Sequence, residues 1–185
     1  MSLIEQTAGR VPTGTWRSDP VHSSLEFAVK HMVVATFRGR LTDFAATLSA
    51  GEDGAAVLEG VARVDSVVTP EENLNAHLLS PDFFDAERHP EATFRSTRIA
   101  REGAEAIVVA GELTLKGTTR PVELRGTIAG PAVGLGDVER LGLELEGTVD
   151  RTDFGLNWNA PLPKGGFAVG DQVRLIGHLE LVRER

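Results

Sequence analysis

Apolar and polar residues alternate one for one in segment after segment between Trp16 and Val182, and only Glu71 to Ala92 clearly breaks the pattern. In Leu141-Gly-Leu-Glu-Leu-Glu-Gly-Thr-Val149 the leucines take every second position with glutamates between them. Val173–Leu181, Leu25–Val29 and Ile107–Leu115 repeat the scheme. Successive side chains of a strand point to opposite faces, so a period of two means strands with one dry and one wet face. Such strands belong in an antiparallel sheet. About eight of them in one domain close into a barrel whose interior is either filled by side chains or holds one small ligand. Filled or hollow is the functional question the sequence poses.

Composition narrows the partners. At 185 residues the chain fits one domain with a sizeable core, and its net charge of −8 argues against a sequence-independent grip on nucleic acid. Lysine and arginine are scattered singly, with no polybasic run. There is no cysteine, hence no disulfide and no thiolate chemistry. The first ten residues do not read as a secretory signal, and no segment is long enough for membrane insertion, so a cytoplasmic location is expected.

Along the chain, residues 1–13 read as a flexible arm and residues 14–185 as the barrel. Strands are expected at Gly14–Pro20, Ser24–Val33, Arg38–Leu48, Leu58–Val68, Ala92–Ile99, Ala106–Leu115, Val122–Ile128, Val138–Val149 and Gln172–Val182. The exception, Thr69 to His89, reads as helical: Thr69 as N-cap, Pro70 at the first helical position, a turn through Asn73–Leu79, and a second short one over Ser80–Asp85. That insertion would plug one barrel mouth. Thr152–Gly170 is a long Gly- and Pro-bearing loop with Phe154, Trp158 and Phe167, and long loops tend to be functional.

The chain has eight Phe, two Trp and no Tyr. Phe27, Phe37, Phe44, Phe83, Phe84, Phe94 and Phe154 would suit a cavity for a long apolar ligand, and would equally fill a core. The histidines (His22, His31, His77, His89, His178) show no metal-ligand spacing, although Asp19, His22 and His31 could meet across two strands. Asp82, Asp85 and Glu87 could serve acid–base chemistry, or cap turns and sit in solvent. No nucleophile elbow or phosphate loop is present.

Asp19-Pro-Val-His-Ser23, Phe27-Ala-Val-Lys-His31, Phe37-Arg-Gly-Arg-Leu-Thr-Asp-Phe44, His77-Leu-Leu-Ser-Pro-Asp-Phe-Phe-Asp85 and His89-Pro-Glu-Ala-Thr-Phe-Arg-Ser96 follow one another in an order that resembles the YceI-like family. Gly111–Val122, Asp150-Arg-Thr-Asp-Phe-Gly155 and Val169-Gly-Asp-Gln-Val173 extend the likeness over nearly the whole chain. These are lipocalin-like, polyisoprenoid-binding proteins. The resemblance implies an all-β, antiparallel eight-stranded barrel with a short helical insertion at one mouth. It also implies an elongated tunnel for an amphiphile such as an isoprenoid quinone or polyprenyl lipid, and a homodimer. Family members commonly carry an Arg-Asp pair just before the His-Leu of the insertion, where this chain has Leu74 and Asn75. Lys116 and Arg120 around Gly117 match the family pattern, and also suit an ordinary tight turn.

The expectation is a non-enzymatic carrier or store for a long-chain amphiphile, with no cofactor required. Tail contacts fall to Phe27, Val29, Phe37, Phe83, Phe84, Phe94, Leu113 and Leu115, and the head group to His31 and Arg38. A one-residue slip would invert any strand's set. Two other readings remain open: an enzyme acting on a small lipid or amide through Asp82, Asp85 or a histidine, and a filled barrel that only binds partners.

Overall fold

The alternating segments form strands β1 (Gly14–Ser18), β2 (Ser24–His31), β3 (Ala35–Leu41), β4 (Phe44–Ala50), β5 (Ala56–Arg63), β6 (Val67–Val68), β7 (Glu91–Glu102), β8 (Ala106–Leu115), β9 (Thr118–Val133), β10 (Glu139–Asp150) and β11 (Val169–Arg183), with one α-helix, α1 (Glu72–Leu79). The computed structural model describes residues 9–185. The expected arm therefore falls mostly outside the described residues, in 1–8. Its remainder is not loose: Val11 is buried in the core, and the Pro12 carbonyl accepts the Trp16 indole N–H at 3.1 Å.

All strands belong to one antiparallel sheet. The order β1-β4-β5-β7-β8-β9-β10-β11 closes where β11 pairs with β1, which makes an eight-stranded barrel. The remaining three strands are continuations past a break. β2 carries on from β1, β3 leads into β4, and β6 follows β5, so β2 pairs with β11 and β3, and β3 pairs with β6. The expected single strands Arg38–Leu48 and Leu58–Val68 are thus each interrupted, at Thr42–Asp43 and at the 3-10 turn Val64–Ser66. The β2–β3 turn sits at Met32–Val34, inside what alternation alone would assign to the strand.

Bending a strand strands its backbone N–H groups, and buried ones need a partner. Serine hydroxyls take that place at each break. Ser18 Oγ accepts the Ala46 N–H (2.9 Å), Ser23 Oγ the Glu180 N–H (3.1 Å), and Ser66 Oγ those of Thr42 and Asp43 (3.2 and 3.0 Å). Where β7 bulges between Ser96 and Arg98, Ser96 Oγ accepts the buried Leu58 N–H at 2.8 Å.

The helix starts later than expected. Its N-cap is Glu71, whose carboxylate accepts the Asn73 N–H (3.1 Å). Thr69 is not the cap: its hydroxyl accepts the Glu71 N–H (3.3 Å), ahead of the helix, and donates to Asn75 Oδ1 at 2.7 Å. Ser80–Asp85 forms hydrogen-bonded turns rather than a second helix, with the Phe83 and Asp85 N–H groups both on the Ser80 carbonyl (3.0 and 2.9 Å). α1 and these turns lie over one end of the barrel.

Two separate cores result. Trp16, Leu48, Leu58, Ile107, Val109, Ile128, Leu141, Leu143 and Leu181 fill one end of the barrel solidly. Leu78, Phe83, Phe154 and Leu156 pack beneath the helical insertion at the other. Ser96→Ala leaves a buried N–H unpaired at the solid end. It should cost about 1–3 kcal/mol, read as a lower urea midpoint with an unchanged slope.

Candidate functional site

Between the two cores the barrel is hollow. The space amounts to about 730 Å³, within the range of roughly 300–1,000 Å³ that holds drug-sized ligands. The filled-or-hollow alternative is resolved by position: one half is packed, and the other half is a cavity. Its floor is Leu58, Leu124, Leu145 and Leu179, its walls come from β2, β3, β8 and β10, and its roof is Leu74, His77, Leu78, Phe83 and Phe84 of the insertion.

Eight tail positions expected from alternation all line this space: Phe27, Val29, Phe37, Phe83, Phe84, Phe94, Leu113 and Leu115. The register explains why. Phe27 and Val29 on β2 stand opposite Gly39 and Phe37 on β3, so these four share the inner face. Phe94 and Leu113 are likewise opposite each other on β7 and β8. His31 also lines the cavity, at its rim beside Lys30 and Met32. Arg38 does not. It alternates with Phe37 and Gly39, is exposed, and points out of the barrel, so the head-group place expected for it has no geometric support.

The aromatic rings form a connected set. Phe27 lies 6.5 Å from both Phe37 and Phe84, centroid to centroid, and Phe83 is 5.4 Å from Trp158. Glycines make room for two of them. A Cβ at Gly39 would come 2.4 Å from Phe27 Cζ, and one at Gly111 would come 2.5 Å from Phe94 Cζ. The far edge of each ring rests over the glycine of a neighbouring strand, in space that a side chain there would fill.

Four residues that alternation did not single out shape the site. His77 sits edge-on to Phe83 (5.0 Å) and Trp158 (4.8 Å), with Nε2 at 2.9 Å from Asp82 Oδ2. With that carboxylate accepting from Nε2–H, Nδ1 is the ring's remaining polar atom. Leu74, the position that departs from the family's Arg-Asp pair, contributes an apolar wall instead. Its neighbour Asn75 accepts the Thr69 N–H at 3.0 Å and so ties the helix to the strand before it.

The third is Arg151, 5% exposed, at the base of the 155–168 loop. It donates to the carbonyls of Gly170 (2.8 Å), Leu156 (2.5 Å) and Trp158 (2.9 Å), and pairs with Asp171 at 3.2 Å. A buried guanidinium surrounded by acceptors is a loop organiser; it holds Trp158 in place against His77. The fourth, Lys116, donates to Pro81 O (2.7 Å) and Gly155 O (3.3 Å), which fastens the insertion to this same loop. Its sequence signal was only the tight turn with Gly117, and the structure adds the bond. Arg120 remains exposed.

The expected meeting of Asp19, His22 and His31 is half realised. Asp19 lies 3.1 Å from His22, but His31 is at the far end of β2, opposite Ala35 and Val169. Asp19, His22 and Glu180 gather within ligand-like distances, yet Arg140 sits among them, 3.3 Å from Asp19 and paired with Glu180. The guanidinium already pairs with both acids, so the cluster is a clamp across the β1–β2 break. The His22 hydrogen bond, the Val21 amide and then Arg140 hold the Asp19 carboxyl down at about 2. Among the other acids, Asp85 is buried, and Glu87 is exposed.

Comparison with known proteins gives a consistent picture. The YceI-like domain matches residues 16–181. A UPF0312 protein of Staphylococcus aureus (strain MSSA476) is 32% identical over 162 residues, covering 84% of this chain and 90% of its own length. Among solved structures, Burkholderia cenocepacia BcnA superimposes with a TM-score of 0.73 at 25% identity, over 90% of this chain and 99% of that one. A polyisoprenoid-binding domain from Saccharophagus degradans, implicated in plant cell wall breakdown, superimposes with a TM-score of 0.66 at 13% identity, over 94% and 100%. The last likeness establishes the fold alone.

Two measurements test the geometry. Gly39→Ala should push the Phe27 ring into the hollow and weaken uptake of an apolar fluorophore, with little loss of stability. Gly111→Ala also meets the Arg95 carbonyl at 2.6 Å, so the strand itself must move; it should cost about 1–3 kcal/mol. The clamp has a pH signature. A folded-state carboxyl lowered from 3.8 to about 2 stabilises the fold above 3.8, and that stability is lost as pH falls through about 2. Asp19→Asn should flatten the acid limb of a stability–pH curve in that window and leave neutral pH behaviour less stable throughout.

Proposed function

This chain belongs to the YceI-like family, and we propose that it is a non-enzymatic carrier of a long-chain amphiphile, an isoprenoid quinone or polyprenyl lipid, held with its tail inside the barrel. The observation that carries this reading is the hollow of about 730 Å³, walled mostly by Phe, Leu and Val. A tail there leaves water along its length. Each buried methylene contributes about 0.8 kcal/mol, so a ten-carbon stretch supplies roughly 8 kcal/mol before ordering costs. The printed description of the Saccharophagus degradans neighbour as polyisoprenoid-binding supports the same ligand class.

His77 and His31 are the polar groups we assign to the head. His77 lines the cavity with Nε2 tied to Asp82, which orients the ring and leaves Nδ1 for a ligand hydroxyl. The tail lies against Phe27, Val29, Phe37, Phe83, Phe84, Phe94, Leu113 and Leu115. The homodimer implied by family resemblance is part of the same proposal, and light scattering of the purified chain checks it.

A second reading has one observation in its favour. The His77–Asp82 pair has the geometry of a base held by a carboxylate, as hydrolysis of a small lipid or amide would require. Turnover of such a substrate, lost in His77→Ala, would support it over carriage.

The deciding experiment is gentle purification followed by organic extraction and mass spectrometry. The wild-type chain should release a stoichiometric isoprenoid or long-chain lipid. Phe84→Asp places a carboxylate in the hollow, and should retain a folded barrel by circular dichroism while releasing none. A protein that is empty and takes up no added quinone or polyprenol would overturn the carrier reading.

A further inference from the structure

The open end of the cavity carries an exposed apolar rim. Met32, Val33 and Val34 at the β2–β3 tip are 42%, 63% and 85% exposed, and Phe167 on the neighbouring loop is 60% exposed. The two segments are one surface. The Met32 N–H donates to Ala168 O at 2.8 Å, and Val33 Cγ2 lies 3.3 Å from where a Cβ on Gly166 would stand. The rim is also continuous with the interior, since Lys30, His31, Met32 and Ala168 line the cavity.

The tip is not built for its turn. Met32 and Val33 have φ of 50° and 68°, a region that favours Gly, Asn or Asp and disfavours a β-branched residue. Neither turn geometry nor solubility selects Met-Val-Val at this place. Charge is segregated as well. The chain carries 27 acids, about one residue in seven, yet Phe27–Thr42 and Phe154–Gly170 hold none. They hold Lys30, Arg38, Arg40 and Lys164 instead. Of the bordering acids, Asp171 pairs with Arg151, and Glu26 stands opposite Arg40 at the end of β2 away from the tip.

We propose that this rim docks on an anionic lipid bilayer, with Met32–Val34 and Phe167 in the headgroup region and Lys30 and Lys164 on lipid phosphates. The inference rests on the reading of the cavity as a lipid carrier, because docking would place its open end against the source of its cargo. Docking is peripheral. Among the described residues no helix is long and apolar enough to cross a membrane, and apolar area combined with basic charge is what interfacial binding requires.

The test is flotation of the full chain with vesicles of phosphatidylcholine, alone or mixed with phosphatidylglycerol. Wild type should bind the mixed vesicles about tenfold or more tightly than the neutral ones. Val33→Asp with Val34→Asp should abolish binding, and Lys30→Glu with Lys164→Glu should remove the preference for anionic lipid. Leu135→Asp, at a residue 96% exposed on the β9–β10 loop, is the control and should change nothing. Equal, weak flotation on both vesicle types would overturn the proposal. So would tip variants that turn a dimer into a monomer while vesicle binding persists, since the rim would then be a contact between copies. Lipid extraction from the same samples keeps the two readings apart: cargo retained with docking lost supports the rim, whereas docking by a protein that purifies empty overturns the carrier reading alone.

Discussion

Backbone hydrogen bonding is the constraint on which this barrel depends. Eight strands must curve through a closed ring, and three of them bend sharply enough to break into two. Each break leaves an N–H without a ladder partner, and an unpaired buried N–H costs about as much as a large fraction of a small domain's stability. The serines at positions 18, 23, 66 and 96 substitute for main chain at those points. Asn159 does the same for Val169, accepting its N–H (3.0 Å) and donating to its carbonyl (2.7 Å). The bends are what separate a narrow packed half from a wider half that a helix can roof.

The hollow is held open by asymmetry of size. In a packed barrel, large residues from one strand fill space left by small ones on the next. Here the rings of Phe27 and Phe94 lie back over Gly39 and Gly111, so large groups consume the space of their own neighbours and leave the axis free. Gly60 and Ala46, opposite each other on β5 and β4, thin the wall further. An apolar void forgoes dispersion contacts that an apolar ligand would restore. Arg151 and Lys116 then fix the loop and the insertion that close over it, through carbonyl groups rather than through cargo.

Much of this was legible because the period of two reports face directly. Once one residue of a strand is known to point inward, its neighbours at two-residue steps follow, and Phe27, Phe37, Phe94 and Leu113 line the cavity in keeping with that rule. The same rule, applied to Arg38, shows that it and Phe37 occupy opposite faces. What alternation cannot report is a break in which period is preserved across a corner. Leu58–Val68 reads as unbroken because its buried positions Leu58, Ala62 and Val64 run on in phase into the 3-10 turn. Thr42 and Asp43, two polar residues in succession, do mark the break in Arg38–Leu48, as a one-residue shift of the inward set between Leu41 and Phe44. Nor can it show that Thr69, a good cap by type, accepts the Glu71 N–H ahead of the helix and leaves the capping to Glu71. Arg151 was hidden for a similar reason: a lone arginine reads as solvated, and its acceptors are carbonyls contributed from residues 156 to 170.

The two ends of the barrel therefore carry different chemistry, and the difference lies in the chain's charge pattern as well as its packing. At the solid end, acids and bases pair across strands, as in the Asp19–Arg140–Glu180 clamp, and Trp16, Leu48, Leu141, Leu143 and Leu181 fill the interior. At the open end, acids are absent from the two segments that form the rim, and apolar residues lead from Val33 and Met32, past His31, to Val29 and Phe27. A tail leaving a lipid phase along that path would meet little polar surface before it reached the floor. Strain at Met32 and Val33 fits that division of labour: the turn bears an unfavourable backbone so that apolar side chains stand where the cavity opens.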